Sequence, residues 1–80
     1  MDKSLTVYPI STGDQLNVFA AEDMCCIRVM DMAGNEMVSA KDIRCKQNVI
    51  DIGHLPGATY IVEVTFLNTK RTGRSVFVKM

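Results

Sequence analysis

Three cysteines carry the most reactive side chains in this sequence: Cys25, Cys26 and Cys45. Their thiolate forms are nucleophiles and metal ligands. Cys25 and Cys26 are adjacent in an extended stretch, so period-two alternation predicts that their side chains point to opposite faces. They therefore cannot easily bind one metal ion together, and the spacing to Cys45 matches no zinc pattern.

The number and spacing of the cysteines also bear on disulfides. An odd number at irregular spacing is not a disulfide framework, so free thiols are favoured. Cys25 is predicted to pack in the core as a small apolar residue. Cys26 is predicted to be more exposed, where it is either reactive or paired with Cys45. The cysteines thus predict no metal site and no cofactor.

The other candidates for catalysis are few and isolated. His54 is the single histidine, and a lone histidine in a loop is usually solvent-exposed. No glycine-rich phosphate loop and no nucleophile elbow occurs. Turn chemistry accounts for Asp31 and Asp51, and Glu63 is expected on a solvated face, where charge reversal should cost under about 0.5 kcal/mol. The sequence therefore predicts no enzyme active site.

The longest predicted strand, residues 59–67, also has the clearest alternation of apolar and polar residues. Apolar residues at every second position predict its core face: Tyr60, Val62, Val64 and Phe66. Before it, residues 55–58 predict a type II turn, with Pro56 at the second position and Gly57 at positive φ. The hydroxyl of Tyr60 either bonds back across this loop as a tyrosine corner or stays in water.

The remaining chain also has the pattern of short strands. Including the long one, strands are predicted over residues 5–8, 15–20, 24–31, 36–40, 48–52, 59–67 and 74–79. Pro9 ends the first, as suits an edge strand, and residues 11–14 form a turn. Gly34 supplies the left-handed position of a tight hairpin. In the following strand, the inward residue is either Met37 or Val38.

Seven short strands without helical periodicity predict an all-β fold, a seven-stranded antiparallel immunoglobulin-like β-sandwich. With 80 residues, the chain is expected to form a single domain over positions 1–80. Its nine basic and nine acidic side chains cancel, which predicts no nucleic-acid footprint and no basic membrane patch. No apolar run approaches the roughly 18 residues of a membrane span.

The first four residues lack the apolar segment of a signal peptide. Either Met1 was added to a fragment of a longer protein, or a small cytosolic protein starts here. The locally basic residues 70–74 are either a receptor-docking patch or, as we favour, a solvated hairpin whose charges deter edge-to-edge pairing.

Several segments, taken in order, resemble the C-terminal sorting domain of Bacteroidota proteins exported by the type IX (Por) secretion system. They are residues 5–9, Gly13 with 16–18, 27–29 with 31–34, 50–52 with 55–56, 60–64 and 76–80. Together they cover essentially the whole chain. Each piece alone is ordinary strand and turn sequence, and it is their order and spacing that make the resemblance.

The resemblance implies a non-enzymatic role as the C-terminal piece of a longer secreted protein. In that family the domain is an address on a larger cargo. The outer-membrane secretion machinery reads it from the periplasm, and it is removed while the cargo is attached to the cell surface. The implied recognition residues are Leu55, Pro56, Gly57, Tyr60, Val76, Phe77, Val78, Lys79 and Met80. Of these, Lys79 and Met80 are expected to matter little to the core.

The alternative function is an immunoglobulin-like accessory module that docks a neighbouring domain or binds a protein or glycan ligand. Glycan sites usually present aromatic platforms. The sequence contains no tryptophan, and the aromatic residues expected to point outward are Tyr8, Phe19 and Phe77. The glycan version is therefore the weaker one, whereas domain docking stays open.

Overall fold

A computed structural model describes residues 5–9 and 13–80 of the chain. Within those ranges the chain forms seven strands and no helix: β1 (Leu5–Pro9), β2 (Gln15–Ala20), β3 (Met24–Asp31), β4 (Glu36–Ala40), β5 (Gln47–Asp51), β6 (Ala58–Phe66) and β7 (Thr72–Lys79). The predicted all-β class and strand number are confirmed. Residues 1–4, and Ser11 and Thr12 of the predicted turn, lie outside the described residues.

The strands form two sheets with the orders β1-β2-β5 and β4-β3-β6-β7. Every pairing is antiparallel, as expected for a β-sandwich. β1 lies at an edge, as predicted, and its ladder runs one residue further, to Pro9. Proline is tolerated there because an edge strand can leave its outward side without a hydrogen-bond donor.

The core lies between the two sheets, and the alternation predicted for β6 is confirmed. Tyr60, Val62, Val64 and Phe66 are all buried. The other buried apolar residues of this cluster are Leu5, Leu16, Val18, Met24, Ile27, Val29, Ile43, Ile50, Ile52, Leu55 and Phe77. Both sheets therefore supply one apolar face, as the period of two along a strand requires.

A β-bulge in β3 overturns the predicted arrangement of its first residues. Met24 pairs with Phe66 and Cys26 pairs with Thr65, so Cys25 is an extra residue. The bulge shifts the alternation by one residue, which brings both Met24 and Ile27 into the core. The prediction that Cys25 packs in the core, on the face opposite Cys26, is wrong.

A second bulge decides which residue of β4 points inward. Met30 pairs with Glu36 and Val29 pairs with Val38, which leaves Met37 as the extra residue. Val38 packs against the core, whereas Met37 is exposed.

The hairpin between β3 and β4 follows the predicted turn chemistry. Gly34 has φ of 91°, the left-handed conformation that glycine adopts without steric cost. The Asp31 carboxylate accepts hydrogen bonds from the backbone N–H groups of Ala33 and Asn35 and from the Asn35 side-chain amide. These donors, the Asn35 amide first, lower the pKa of Asp31.

The predicted type II turn before β6 is wrong. Among the described glycines, positive φ occurs at Gly13 and Gly34 and not at Gly57. Gly57 instead lies at a close approach of two backbone segments. A Cβ atom there would lie 3.3 Å from the carbonyl oxygen of Lys79 and 3.3 Å from the carbonyl carbon of Met80.

Candidate functional site

Most of the predicted recognition residues meet at one end of the sandwich. Tyr60 and Phe77 are paired across β6 and β7, and their rings stack with centroids 5.5 Å apart. Both side chains are buried. The Tyr60 hydroxyl donates a hydrogen bond to the backbone carbonyl of Pro56, so the tyrosine-corner interpretation is confirmed and the water-exposed one is wrong.

Lys79 ties the last strand to the loop before β6. It pairs with Ala58, two residues along β7 from Phe77 and on the same face. Its ammonium Nζ donates to the carbonyl oxygens of Ile52 at 2.8 Å and Gly53 at 3.2 Å, and also to that of Leu55. Lys79 was predicted to matter little to the core, and because of these three bonds to the loop we expect it to contribute more to stability than that.

We call six of these residues the terminal clamp: Leu55, Pro56, Gly57, Tyr60, Phe77 and Lys79. The clamp uses a side-chain hydrogen bond, a ring stack, three bonds from an ammonium group and one close backbone approach. Leu55 is buried within it. These contacts hold the end of β7 against the β5–β6 loop.

The other predicted recognition residues of β7 face the opposite way. Val76 and Val78 alternate with Phe77 along the strand, and their exposed fractions are 49% and 53%. Met80 is fully exposed. We call Val76, Val78 and Met80 the outer face of β7. The nine predicted residues thus divide into six whose contacts join the end of β7 to the β5–β6 loop and three that lie outside those contacts, although Pro56 and Gly57 of the first group are also exposed.

The outer face of β7 continues across the four-stranded sheet. Val76 pairs with Ile61 and Ile61 pairs with Met30, which makes an apolar row over three strands. A shallow, open depression in this surface is lined by Ile61, Arg74, Ser75 and Val76. Of the three residues in the row, Val76 is exposed, Ile61 is half-buried and Met30 is buried, so the apolar surface open to solvent is that of Val76 and Ile61.

A row of charges borders this apolar row. The Glu63 carboxylate lies between two guanidinium groups, 3.2 Å from Arg28 Nη1 and 2.8 Å from Arg74 Nη2. Glu63 is on the outer face as predicted, but its side chain is only 13% exposed. Reversing its charge would place an ammonium group between two cations, so we expect a cost above the roughly 0.5 kcal/mol that the sequence predicted.

The remaining candidate residues lie elsewhere. The three cysteines are free, as predicted, and the exposed one is Cys45, whose thiol donates to the Gln47 carbonyl. Tyr8 and Phe19 stack on each other at 5.7 Å on the other sheet. The prediction that Phe77 points outward is wrong because it faces Tyr60 in the core. Residues 5–9 and 13–80 bring together no cluster of three potential metal ligands.

Comparison with models of known protein families shows which family this chain belongs to. The family model described as the secretion system C-terminal sorting domain matches residues 6–79. The chain belongs to this family. The matched range of the sorting domain includes all of the terminal clamp and two residues of the outer face of β7, Val76 and Val78. None of the curated proteins matches the chain.

Family membership confirms the recognised resemblance. Sorting domains of this kind act as C-terminal secretion signals of the type IX system, and they belong to secreted or cell-surface proteins. The family is in general non-catalytic. Among the residues that the structure describes, no helix has the length and apolar character needed to cross a membrane.

Sequence reasoning missed the partners that make the site. The carbonyl groups of Ile52 and Gly53 hold Lys79, and backbone acceptors leave no signature in a sequence. Ile61 was not identified either, although a signal existed. It is an apolar residue on a face otherwise marked by Glu63 and Thr65.

Proposed function

We propose that this sorting domain is the C-terminal piece of a longer exported protein and serves as its address. It directs the cargo from the periplasm across the outer membrane to the cell surface, and it has no enzymatic activity of its own. Its partners are the outer-membrane secretion machinery and the upstream cargo. Family membership supports the role, and the geometry of β7 supports the assignment of residues.

One observation carries the proposal: β7 is an edge strand whose alternate side chains face two different environments. β1 of the other sheet lies close to β7, so the part of β7 open to a partner is its row of outward side chains, which can supply specificity. We assign the reading of the address to the outer face of β7. The terminal clamp has the supporting role of holding that strand in a defined position.

The clamp matters because binding a mobile segment costs conformational entropy. A strand already ordered in the free domain loses less freedom when a partner binds it. Lys79 and Tyr60 hold the end of β7 and the start of β6 in place through hydrogen bonds to carbonyl groups of the β5–β6 loop. Val76 and Val78 then reach the partner from a rigid support.

Export of a reporter tests this assignment. A reporter with an ordinary signal peptide, fused to residues 1–80, is expressed in a bacterium with a type IX machine. We expect the intact fusion at the cell surface. The double change Val76→Thr, Val78→Thr keeps β-branched shape but makes the outer face polar, so we expect a folded domain, by circular dichroism, whose reporter stays in the periplasm.

The other sheet offers a matched control. Val49 is also β-branched and 43% exposed, and it lies in β5 of the three-stranded sheet. Val49→Thr should fold and export as the unchanged fusion does. Equal loss of export from both variants would show that general surface polarity, not the outer face of β7, matters.

The same export experiment distinguishes the sorting function from the alternative, a module that docks a neighbouring domain. If the intact fusion is folded but stays in the periplasm, the sorting proposal fails for this chain. The apolar row through Ile61 would then be better explained as a surface that packs against the neighbouring domain of the same protein. Protection of that row from hydrogen exchange in the whole protein, compared with residues 1–80 alone, would identify such a contact.

A further inference from the structure

The bulge in β3 places two adjacent thiols side by side. Cys25 is the extra residue beside Cys26, and the two residues of such a bulge lie on the same side of the sheet. Their Sγ atoms are 3.3 Å apart. Both side chains are partly exposed. A regular strand would have pointed the two thiols in opposite directions.

The pair stays in the dithiol form in this conformation. The Cys26 thiol donates a hydrogen bond to Cys25 Sγ, and this bond is the main cause of the raised pKa of Cys26. Lys41 and Asp42 are the charged residues nearby, with opposite effects on that pKa. The Cys26 thiol therefore keeps its proton more readily than an ordinary thiol, and both side chains are partly exposed at the bulge.

Joining the two sulfurs directly is unfavourable here. The chain contains no cis peptide bond among its described residues, and a trans peptide holds adjacent Cα atoms about 3.8 Å apart. Disulfides usually need Cα atoms about 4.4–6.8 Å apart, and shorter spans strain the bond and make it easily reduced. The pair is thus better suited to an atom that bridges the sulfurs than to a bond between them.

The distance between the two sulfurs determines which kind of atom can bridge them, because it fixes the angle at that atom. With bonds of about 2.3 Å to each sulfur, a separation of 3.3 Å gives an angle of about 90° at the bridging atom. Linear two-coordinate ions need an angle of 180°. A tetrahedral zinc site needs further ligands, and the described residues provide no third one nearby. A pyramidal trivalent centre has angles close to 90° and needs only two thiols when it carries a substituent.

We propose that Cys25 and Cys26 form a binding site for trivalent arsenicals of the monosubstituted arsenoxide class. Two As–S bonds form and the two S–H bonds and the arsenic–oxygen bonds break. The two protons leave with the oxygen as one water molecule. Arsenic stays trivalent, so no oxidant or reductant takes part. The site is separate from the terminal clamp and from the outer face of β7.

Mass spectrometry with phenylarsine oxide tests the site on the reduced 80-residue chain. We expect one adduct per chain, equal to the reagent less one water, which survives excess monothiol and is removed by 2,3-dimercaptopropanol. Cys45→Ser should keep the adduct, and Cys26→Ser should lose its resistance to monothiol. The absence of an adduct, or an adduct on Cys26→Ser with the same resistance, would overturn the proposal.

Thermal unfolding separates a preformed site from two thiols that merely follow each other in sequence. The unfolded chain also contains the adjacent pair, so the reagent raises the melting temperature only if the native pair binds it more tightly. We expect a higher melting temperature with saturating phenylarsine oxide, and no shift for Cys25→Ser. An unchanged or lowered melting temperature of the unaltered chain would show that the bulge does not present the pair for binding.

Discussion

Replacing Lys79 with methionine tests whether the terminal clamp holds β7. Lys79→Met keeps an unbranched apolar stem of similar length and removes the ammonium group that bonds the carbonyls of Ile52, Gly53 and Leu55. A hydrogen bond to a charged group contributes about 1.5–3 kcal/mol when it is shielded from water. The Ile52 and Leu55 contacts are partly buried, but the Gly53 contact is exposed.

Water can replace part of what is lost, so the three bonds together are expected to contribute about 2 kcal/mol rather than the full sum. The free energy of unfolding of a small domain is on the order of 5 kcal/mol. Each kcal/mol shifts the melting temperature of such a domain by about 4–8 °C. Lys79→Met is therefore expected to melt roughly 8–16 °C lower.

Urea unfolding followed by far-ultraviolet circular dichroism measures the expected loss of about 2 kcal/mol in the free energy of unfolding, and a thermal scan measures the lower melting temperature. Val78→Thr is the control one residue away, because that side chain points to solvent and should change the unfolding free energy by less than about 0.5 kcal/mol. Lys79→Arg should lie between the two, since it keeps donors in a different geometry. A Lys79→Met variant as stable as Val78→Thr would show that the ammonium bonds do not hold the strand.

Four further outcomes are expected. Val62→Asp should leave the domain unfolded by circular dichroism, because it buries an unpaired charge; native-like ellipticity would contradict the face assignment. Glu63→Lys should cost about 1–2 kcal/mol in urea unfolding because it replaces two ion pairs with repulsion, and a loss equal to that of Val78→Thr would refute this. Tyr60→Phe should cost about 1 kcal/mol through the hydroxyl bond to Pro56, and an unchanged midpoint would rule that bond out. Because the pKa of Asp31 is lower in the folded state, its stabilising contribution is present above about pH 4 and lost as pH falls below it; Asp31→Asn should flatten this acid dependence, and an unchanged slope would contradict it.

The parts of the fold that depend on local pattern were predictable. The alternation of Tyr60, Val62 and Val64 determines the inward face of β6 without reference to any other strand. The positive φ of Gly34 follows from its place in a short hairpin. In both cases the residues within a few positions of each other contain the information.

The parts that failed depend on contacts between distant segments. The bulge at Cys25 lets both Met24 and Ile27 reach the core, and an alternation read along one strand cannot show this. A Cβ atom on Gly57 would come within 3.3 Å of the backbone of Lys79 and Met80, which lie more than twenty residues later in the sequence. Turn preferences alone predicted a positive φ at this glycine, which the structure does not have.

The division of the candidate site into the terminal clamp and the outer face of β7 also depends on contacts between distant segments. The sequence placed Val76, Phe77, Val78 and Lys79 in one terminal segment and predicted that Phe77 points outward. Alternation divides these residues into two pairs, but the burial of Phe77 against Tyr60 is what shows that Phe77 and Lys79 form the inward pair. The partners of Lys79 are backbone carbonyls more than twenty residues earlier, so no local pattern reveals them.

The alternation of β7 also makes stability and specificity separately adjustable. Substitutions at positions 76 and 78 change the exposed surface of the strand and leave the ring of Phe77 and the ammonium of Lys79 in place. Substitutions at 77 and 79 do the reverse. Under the proposed assignment, two domains with the same interior could differ in the partner that accepts them, because the two exposed valines can change without rebuilding the core.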